Sequence, residues 1–590
     1  MTPLRIRWLG RVRYEEALDL QHAIRDARTG DYLLLLEHPH VYTLGVRTKP
    51  EHLLAGVAAS GADVARADRG GDVTYHGPGQ LVGYPIVDVP MGPGTIPCYV
   101  HRIERLVIDV LSDVGLAGTG RLEGYPGVWV ETDGPAPRKI CAIGVRVDRG
   151  RSMHGFALNV DPDLAMFDNI VPCGIADKAV TSLAAEGVAV SMRDVVEAVC
   201  RRSATALSLE ALACGSASAL GSPGGETERA VEMHEAAWRA PAEPVAGGTT
   251  AAGTTAASAR GGPATAEPVA GDAVVAPVIV RSLDRRLATA GVDNTGGIAF
   301  HARKPAYLRA PVKLGTKVLD LRSMVRGLNL VTVCEEAGCP NLSECWADGT
   351  ATFMINGERC TRACGFCLVD TRHPLPLDQE EPEHVADAVV RLGLAHAVVT
   401  AVARDDLADG GAGAFAATVA AIRRRSPGTS VEVLISDCKG DRASLETIFA
   451  SRPDVLNHNI ETVLRLQRAV RTSASYGRSL TVLARAKVAG LVTKSGMILG
   501  MGETLPEIRA TLLDLRAVGV DIVTIGQYLR PTEAHLAVQR WWQPREFEEI
   551  GEMARAMGFL HVESSPLTRS SYHARQAVDS ANGMVVAVAP

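Results

Sequence analysis

Apolar positions along this chain follow two rhythms, and a long central stretch follows neither. In DYLLLLEHPHVYTLG an unbroken apolar run closes at Gly and Pro signals, which predicts a buried strand and then a turn. CYVHRIERLVIDVLSDVGL carries apolar residues at helical spacing and stops at a Gly, while KICAIGVRV and MHGFALNV alternate as strands. Later the pattern becomes a repeated strand-then-helix unit. AHAVVTAV precedes GAGAFAATVAAIRRR, SVEVLI precedes RASLETIFA, and LVTKSGMILG precedes LPEIRATLLDLRAVG. Such repeats predict parallel strands wrapped by helices, as an open sheet or a full or partial barrel, with chemistry at the strand C-termini.

Between these regions, from about Gly215 to Pro277, Ala, Gly, Thr, Ser and Pro dominate, as in AGGTTAAGTTAASARGGPATAEPVAG. A segment of that composition buries too little apolar surface to offset its ordering entropy, so a flexible linker is expected. One interruption, Glu226–Ala240, has the residue types of a short helix. A coil of about 60 residues spans roughly 40–45 Å. The expected organisation is therefore an α/β domain over residues 1–205, a linker over 206–290 and a second α/β domain over 291–590.

Composition excludes several classes. Across 590 residues the hydrophobic fraction is 46% and the charged fraction 22%, as in ordinary globular proteins. A net charge of −6, with no Lys/Arg run, offers no footprint for nucleic acid. No apolar run reaches the ~18 residues of a membrane span, and MTPLRIRWLGRVRYEEALDL lacks the apolar region of a secretion signal. A cytoplasmic location, with reduced thiols, is the expectation.

Reduced thiols matter because six of the 12 cysteines fall within 34 residues. They form two trios: Cys334-x4-Cys339-x5-Cys345 and Cys360-x3-Cys364-x2-Cys367. Three thiolates on one loop can hold three corners of an iron–sulfur cube and leave the fourth iron open to other ligands. Zinc prefers four ligands, commonly as two pairs, and neither trio supplies a fourth Cys or His at the usual spacing. Disulfides are disfavoured by the odd number and the reducing compartment.

The motif CTRACGFC resembles that of the radical S-adenosylmethionine (SAM) enzymes. Several further segments resemble lipoyl synthase: TVCEEAGCPNLSECW, VARDDLADGGA, NHNIETV, SGMILGMGET, GQYLRPT and RSSYHA. The resemblance implies two 4Fe–4S clusters in a partial (β/α) barrel of the radical SAM class. By it, Cys360, Cys364 and Cys367 hold the cluster that chelates SAM, which when reduced splits SAM into methionine and a 5′-deoxyadenosyl radical. Cys334, Cys339 and Cys345 hold an auxiliary, sulfur-donating cluster, with a serine of RSSY as fourth ligand. Ser571 is favoured, and spacing alone does not separate it from Ser570. Asn459, Glu461, Gly500 and Gly502 are expected in the SAM pocket, whereas Arg404, Asp405 and Asp406 fit an ion-pair network at a barrel rim equally well.

In the first domain, Cys173 stands between Pro and Gly in NIVPCGI, on a tight loop where a thiol is accessible. A thiol of pKa ~8.5 is only a few per cent ionised at neutral pH, and a neighbouring cation that lowers it by about 1.5 contributes about 2 kcal/mol towards the thiolate. Lys139 of RKICAIG is the candidate cation. RGGDVTYHGPGQ with the Lys, His-Gly and Pro-Cys-Gly-Ile series resembles the octanoyltransferases, whose fold is the α/β sheet of biotin and lipoate transferases. That resemblance implies that Cys173 takes octanoyl from octanoyl-acyl carrier protein as a thioester, activated by Lys139. It implies substrate contacts at Arg69, Gly70, Gly71, Asp72, Val73, Thr74, Tyr75 and His76, at Ala142, Ile143 and Gly144, and at Gly155, Phe156 and Ala157. Backbone amides of these turns are suitable oxyanion donors.

The two implied reactions are consecutive. Octanoate is attached to a lysine of a lipoyl domain, in the 2-oxoacid dehydrogenase complexes or the glycine cleavage H protein. Sulfur then enters at C6 and C8, with electrons from a low-potential donor. A tether would raise the local concentration of the second site around the octanoylated carrier. The competing readings are a scaffold with vestigial catalytic halves, an ATP-dependent lipoate or biotin ligase in the first half, and a biotin synthase-like sulfur inserter in the second.

Overall fold

The computed structural model describes residues 3–172, 178–207, 230–236, 287–288, 290–292, 296–309, 331–332, 350–572 and 574–581. The N-terminal region is built on a nine-stranded sheet, ordered Val231–Glu235, Leu4–Arg11, Asp31–Glu37, Gln80–Ile86, Arg151–Asn159, Arg138–Asp148, Tyr125–Val130 and Thr119–Leu122, with Ala179–Val180 beside Arg138–Asp148. The run DYLLLLE is apolar on both sides because both faces are covered. Leu33 and Leu35 pack under the helices Thr95–Asp113 and Met192–Ala206, whereas Leu34 and Leu36 face the helix Tyr14–Ala27. A small sheet of Asp63–Arg66, Val41–Leu44 and Thr74–His76 stands alongside.

The C-terminal region is the expected strand–helix repeat. Thr350–Ile355, His396–Ala401, Ser430–Leu434, Val455–Asn457, Thr493–Leu499, Ile522–Gln527 and His561–Ser564 pair in parallel in chain order, and Val331–Thr332 adds an antiparallel edge. The row is open, a partial barrel. Helix starts follow local sequence. Asp441 accepts from the Ser444 amide to begin Arg442–Ala450, and Thr504 with Glu507 closes a capping box around Leu505–Ala517.

Two points that the sequence leaves open are answered here. Within Glu226–Ala240, Val231–Glu235 is a strand and not a helix, running parallel to Leu4–Arg11 from Leu4 opposite Val231 to Trp8 opposite Glu235. Edge pairing to an exposed row of backbone groups outweighs the modest helix preference of VEMHE. The two halves also touch, rather than being merely tethered. Helix Tyr14–Ala27 lies between its own sheet and the barrel helix Tyr476–Val488, and one apolar cluster runs from Leu20, Ile24 and Leu34 into Leu480, Leu483 and Leu512. Nearly all of Tyr476–Val488 is therefore buried, as a helix covered on both faces must be.

Candidate functional sites

The strand Thr350–Ile355 ends at Asn356, whose positive φ of 67° turns the chain into GERCTRACGFC at the C-terminal end of the barrel strands. Backbone bonds fix this loop: Cys360 N to Asp370 O at 2.8 Å, Thr361 N to Ala403 O at 2.9 Å and Gly365 N to Val470 O at 2.9 Å. Arg362, between the first two thiols, donates to both oxygens of Asp405 at 2.8 Å and to Asp437 Oδ1 at 2.6 Å. Burial works against the Asp437 charge, but Arg362 and Arg478 together hold its carboxyl below the ordinary range. Arg404 grips Asp406 and the Asn356 carbonyl, so the rim residues form an ion-pair network.

Cys360, Cys364 and Cys367 open into one cavity of about 340 Å³ with Asn459, Glu461 and Arg471. Burial pushes the Cys364 thiol up to about 12 and raises Cys367, so filling the site with a thiolate-bound group displaces protons. Amides of Arg362 and Ala403 point at Cys360 Sγ at 3.4 and 3.3 Å, the kind of hydrogen bond that tunes an iron–sulfur potential. Among the described residues no three His, Cys, Asp or Glu side chains converge on a single-ion site. Burial also lifts Glu461 above its ordinary range, and Arg471 opposes the shift.

Ser570 and Ser571 line the same cavity, beside Arg569. Gly526 makes room for their loop, since a Cβ there would lie 2.0 Å from the Thr568 carbonyl oxygen. Cys334, Cys339 and Cys345 lie outside the described residues. Gly500 and Gly502 do not line this cavity. Amides of Gly500, Met501 and Gly502 wrap the buried Glu503 carboxylate at 3.0, 2.8 and 2.8 Å, so the glycines serve a turn closed on its own side chain.

In the N-terminal half a smaller cavity, about 50 Å³, is lined by Arg69–Asp72, Thr74, His76, Ala142–Gly144 and Gly155–Ala157. Val73 and Tyr75 do not line it, because alternation along the strand sends them into the cluster with Tyr42 and Phe167. Arg69 is a clamp: its guanidinium donates to the Thr43 and Asp72 carbonyls at 2.9 Å and to Thr43 Oγ1 at 2.8 Å. The Gly70 amide is already bonded to Val145 O, so it is not available to an oxyanion. From Arg69 a buried relay passes through Thr43 and His76 to Gln80 and Asn159, with His76 Nδ1 donating to Gln80 Oε1 at 2.7 Å and Gln80 Nε2 to Asn159 Oδ1 at 2.9 Å. Burial holds the His76 imidazole neutral, well below its ordinary pKa.

Lys139 does not line the cavity; its ammonium sits 4.7 Å from the Trp129 ring centroid. Cys173 lies outside the described residues. Sequence reasoning missed Tyr14, Tyr84 and His154 of the smaller cavity and Arg362, Phe366 and Arg471 of the larger. Arg362 had a signal in hand, a charge placed between two thiols. Tyr14 had none, since it arrives from a helix more than 50 residues before the Gly-rich turn.

Residues 13–204 match the lipoyl protein ligase A/B catalytic domain family, and residues 354–515 match the radical SAM superfamily. The chain is 56% identical over 280 residues to lipoyl synthase of Rubrobacter xylanophilus, covering 47% of this chain and 87% of that protein. It is 53% identical over 272 residues to lipoyl synthase of Mycobacterium avium, covering 46% of this chain and 89% of that one. Among solved structures, a bi-partite lipoate protein ligase of Thermoplasma acidophilum is similar over 35% of this chain and 84% of its own, at 18% identity and a TM-score of 0.30. Among the described residues no helix is long and apolar enough to cross a membrane.

Proposed function

Because the chain belongs to the lipoyl synthase family through its C-terminal half and carries a lipoyl protein ligase A/B catalytic domain in its N-terminal half, we propose that it makes protein-bound lipoate in two consecutive steps. The first half takes octanoyl from octanoyl-acyl carrier protein onto Cys173 and passes it to a lysine of a lipoyl domain. The carrier belongs to a 2-oxoacid dehydrogenase complex or is the glycine cleavage H protein. The second half inserts sulfur at C6 and C8.

The observation that carries this reading is the cavity shared by three thiols and the serines of RSSY. When bound there, a 4Fe–4S cluster supplies the reductive cleavage of SAM that begins radical chemistry. The chain's own part is to hold it: Cys360, Cys364 and Cys367 as ligands, the Arg362 and Ala403 amides on Cys360, and Glu461 and Arg471 as polar wall. A second, auxiliary cluster would be held by Cys334, Cys339, Cys345 and Ser571. In the first half the Arg69–Thr43–His76–Gln80 relay orients the imidazole, and burial keeps it uncharged. An acyl chain is thereby met by the apolar Ile143, Phe156 and Ala157.

Incubation with octanoyl-carrier protein should leave a hydroxylamine-labile adduct on Cys173, absent in Cys173→Ala. A requirement for ATP would instead favour the ligase reading. On an octanoylated lipoyl domain, with a low-potential reductant, 5′-deoxyadenosine should accumulate alongside lipoyl product. Zinc in place of iron in anaerobically prepared protein would overturn the second half.

A further inference from the structure

The turn Asp437–Gly440 touches both halves of the molecule. At one end Asp437, whose side chain is wholly inaccessible to solvent, accepts from Arg362 of the cysteine loop at 2.6 Å. Its other oxygen lies 3.6 Å from Arg478 Nη1. Arg478 is held in turn by the transferase half, where Glu16 Oε1 accepts from its Nε at 2.8 Å. At the far end of the turn, the Gly440 carbonyl accepts from Arg13 at 3.1 Å and from Arg485 at 2.9 Å.

Gly440 also suits a close approach. Its φ is +74°, and a Cβ there would stand 2.3 Å from Glu16 Oε1. Glu16 is an acid on an amphipathic helix, yet its side chain is only 1% exposed. It is buried because the barrel covers it. Four charged groups thus alternate in sign from the transferase helix to the cysteine loop: Glu16, Arg478, Asp437 and Arg362.

We propose that the transferase half positions the cluster-bearing loop of the synthase half, with Glu16 as the positioning residue acting through Arg478, Asp437 and Arg362. A buried carboxylate between two guanidiniums is held only while both stay in place. Arg478 is 20% exposed and long, and Glu16 fixes which way it points. Without that anchor, Arg478 turns to water and Asp437 keeps one cation. Arg362, already shared with Asp405, then loses its fixed geometry, and the loop between Cys360 and Cys364 loosens. Docking of the first enzyme thereby conditions the second, which a flexible tether would not do. This rests on the assignment of Cys360, Cys364 and Cys367 to a cluster.

Hydrogen exchange of the full chain, cluster-free and after anaerobic reconstitution, tests it. In Glu16→Gln the amides of Cys360, Thr361 and Gly365 should exchange at least about tenfold faster, the loss of one charge-assisted hydrogen bond. Arg509→Gln is the control: Arg509 pairs with Glu232 at 2.9 Å across the same seam without touching the turn Asp437–Gly440, and should leave those amides unchanged. Arg478→Lys, which keeps the charge but cannot span Glu16 and Asp437 together, should reproduce the Glu16→Gln result if the latter folds poorly. Unchanged loop exchange in both variants overturns the proposal, as does equal acceleration in Arg509→Gln. Failure of the wild-type trio to take up iron would overturn the cluster assignment instead, and the cluster-free exchange keeps the two failures apart.

Discussion

Removing Arg7 is the sharpest test of whether the two halves form one body. Its side chain is 2% exposed, and its Nε donates to both oxygens of Asp514, itself 4% exposed, at 3.1 and 2.9 Å. Asp514 also accepts from Tyr32 across the seam at 3.3 Å and from Tyr476 at 2.9 Å. Burial opposes the Arg7 charge, but Asp514 and Tyr32 keep its pKa above the ordinary value. Arg7→Met leaves a buried carboxylate facing only hydroxyls, which costs about 3–5 kcal/mol. Asp514→Leu costs less, since Arg7 retains Glu232 at 3.3 Å. The double variant, with both charges replaced by apolar groups, should return to within about 1 kcal/mol of wild type. The coupling energy is then at least about 2–4 kcal/mol, and larger by whatever Asp514→Leu costs alone. Urea midpoints give the cycle, and exchange of the amides in Val231–Glu235 reports the seam itself. A cost below about 1 kcal/mol for Arg7→Met, or a double variant equal to the sum of the singles, would refute the reasoning.

Three further outcomes follow from the same geometry. Gly526→Ala drives a methyl against the Thr568 carbonyl and displaces the loop carrying Ser570 and Ser571. Lipoyl product should be lost while SAM still binds, read by product assay and equilibrium dialysis. Gln80→Leu leaves His76 Nδ1 and Asn159 Oδ1 buried without their partner, although Thr43 and the Thr181 carbonyl still hold the other ends, and should cost about 1–3 kcal/mol by chemical denaturation, with octanoyl transfer reduced. The Glu432 carboxyl would be raised by burial, but Lys494 at 3.0 Å and the nearby His396 pull it down to about 2 from an ordinary 4.5. A depressed folded-state pKa contributes stability above about 4.5 that is lost as pH falls towards about 2. The thermal midpoint should therefore drop through that acid window, and Lys494→Met should abolish the stability gained on Glu432 ionisation.

Much of the site was legible because its chemistry is local. The thiols of CTRACGFC sit within one loop, so spacing alone places them together. Asn459 and Glu461 follow the next-but-two strand and reach the same cavity because parallel strands end on one side. For Gly500 and Gly502 the pattern was ambiguous, since a glycine-rich strand end serves a ligand or a turn equally well, and their amides bond the Glu503 carboxylate. Val73 and Tyr75 share the motif but pack with Tyr42 and Phe167, because the two-residue period sends alternate side chains to the other face.

By itself the sequence determined the elements, the two α/β domains and the chemistry of their loops, because periodicity, caps and ligand spacing act over a few residues. Only the tertiary structure decided what lies between the domains. Val231–Glu235 becomes a strand because the edge of Leu4–Arg11 offers it unpaired backbone groups. Glu16, Arg7 and Asp514 are buried because a partner of each arrives from the other half of the chain. A charge alone in the sequence is solvated; paired across more than 450 residues, it becomes part of an interior.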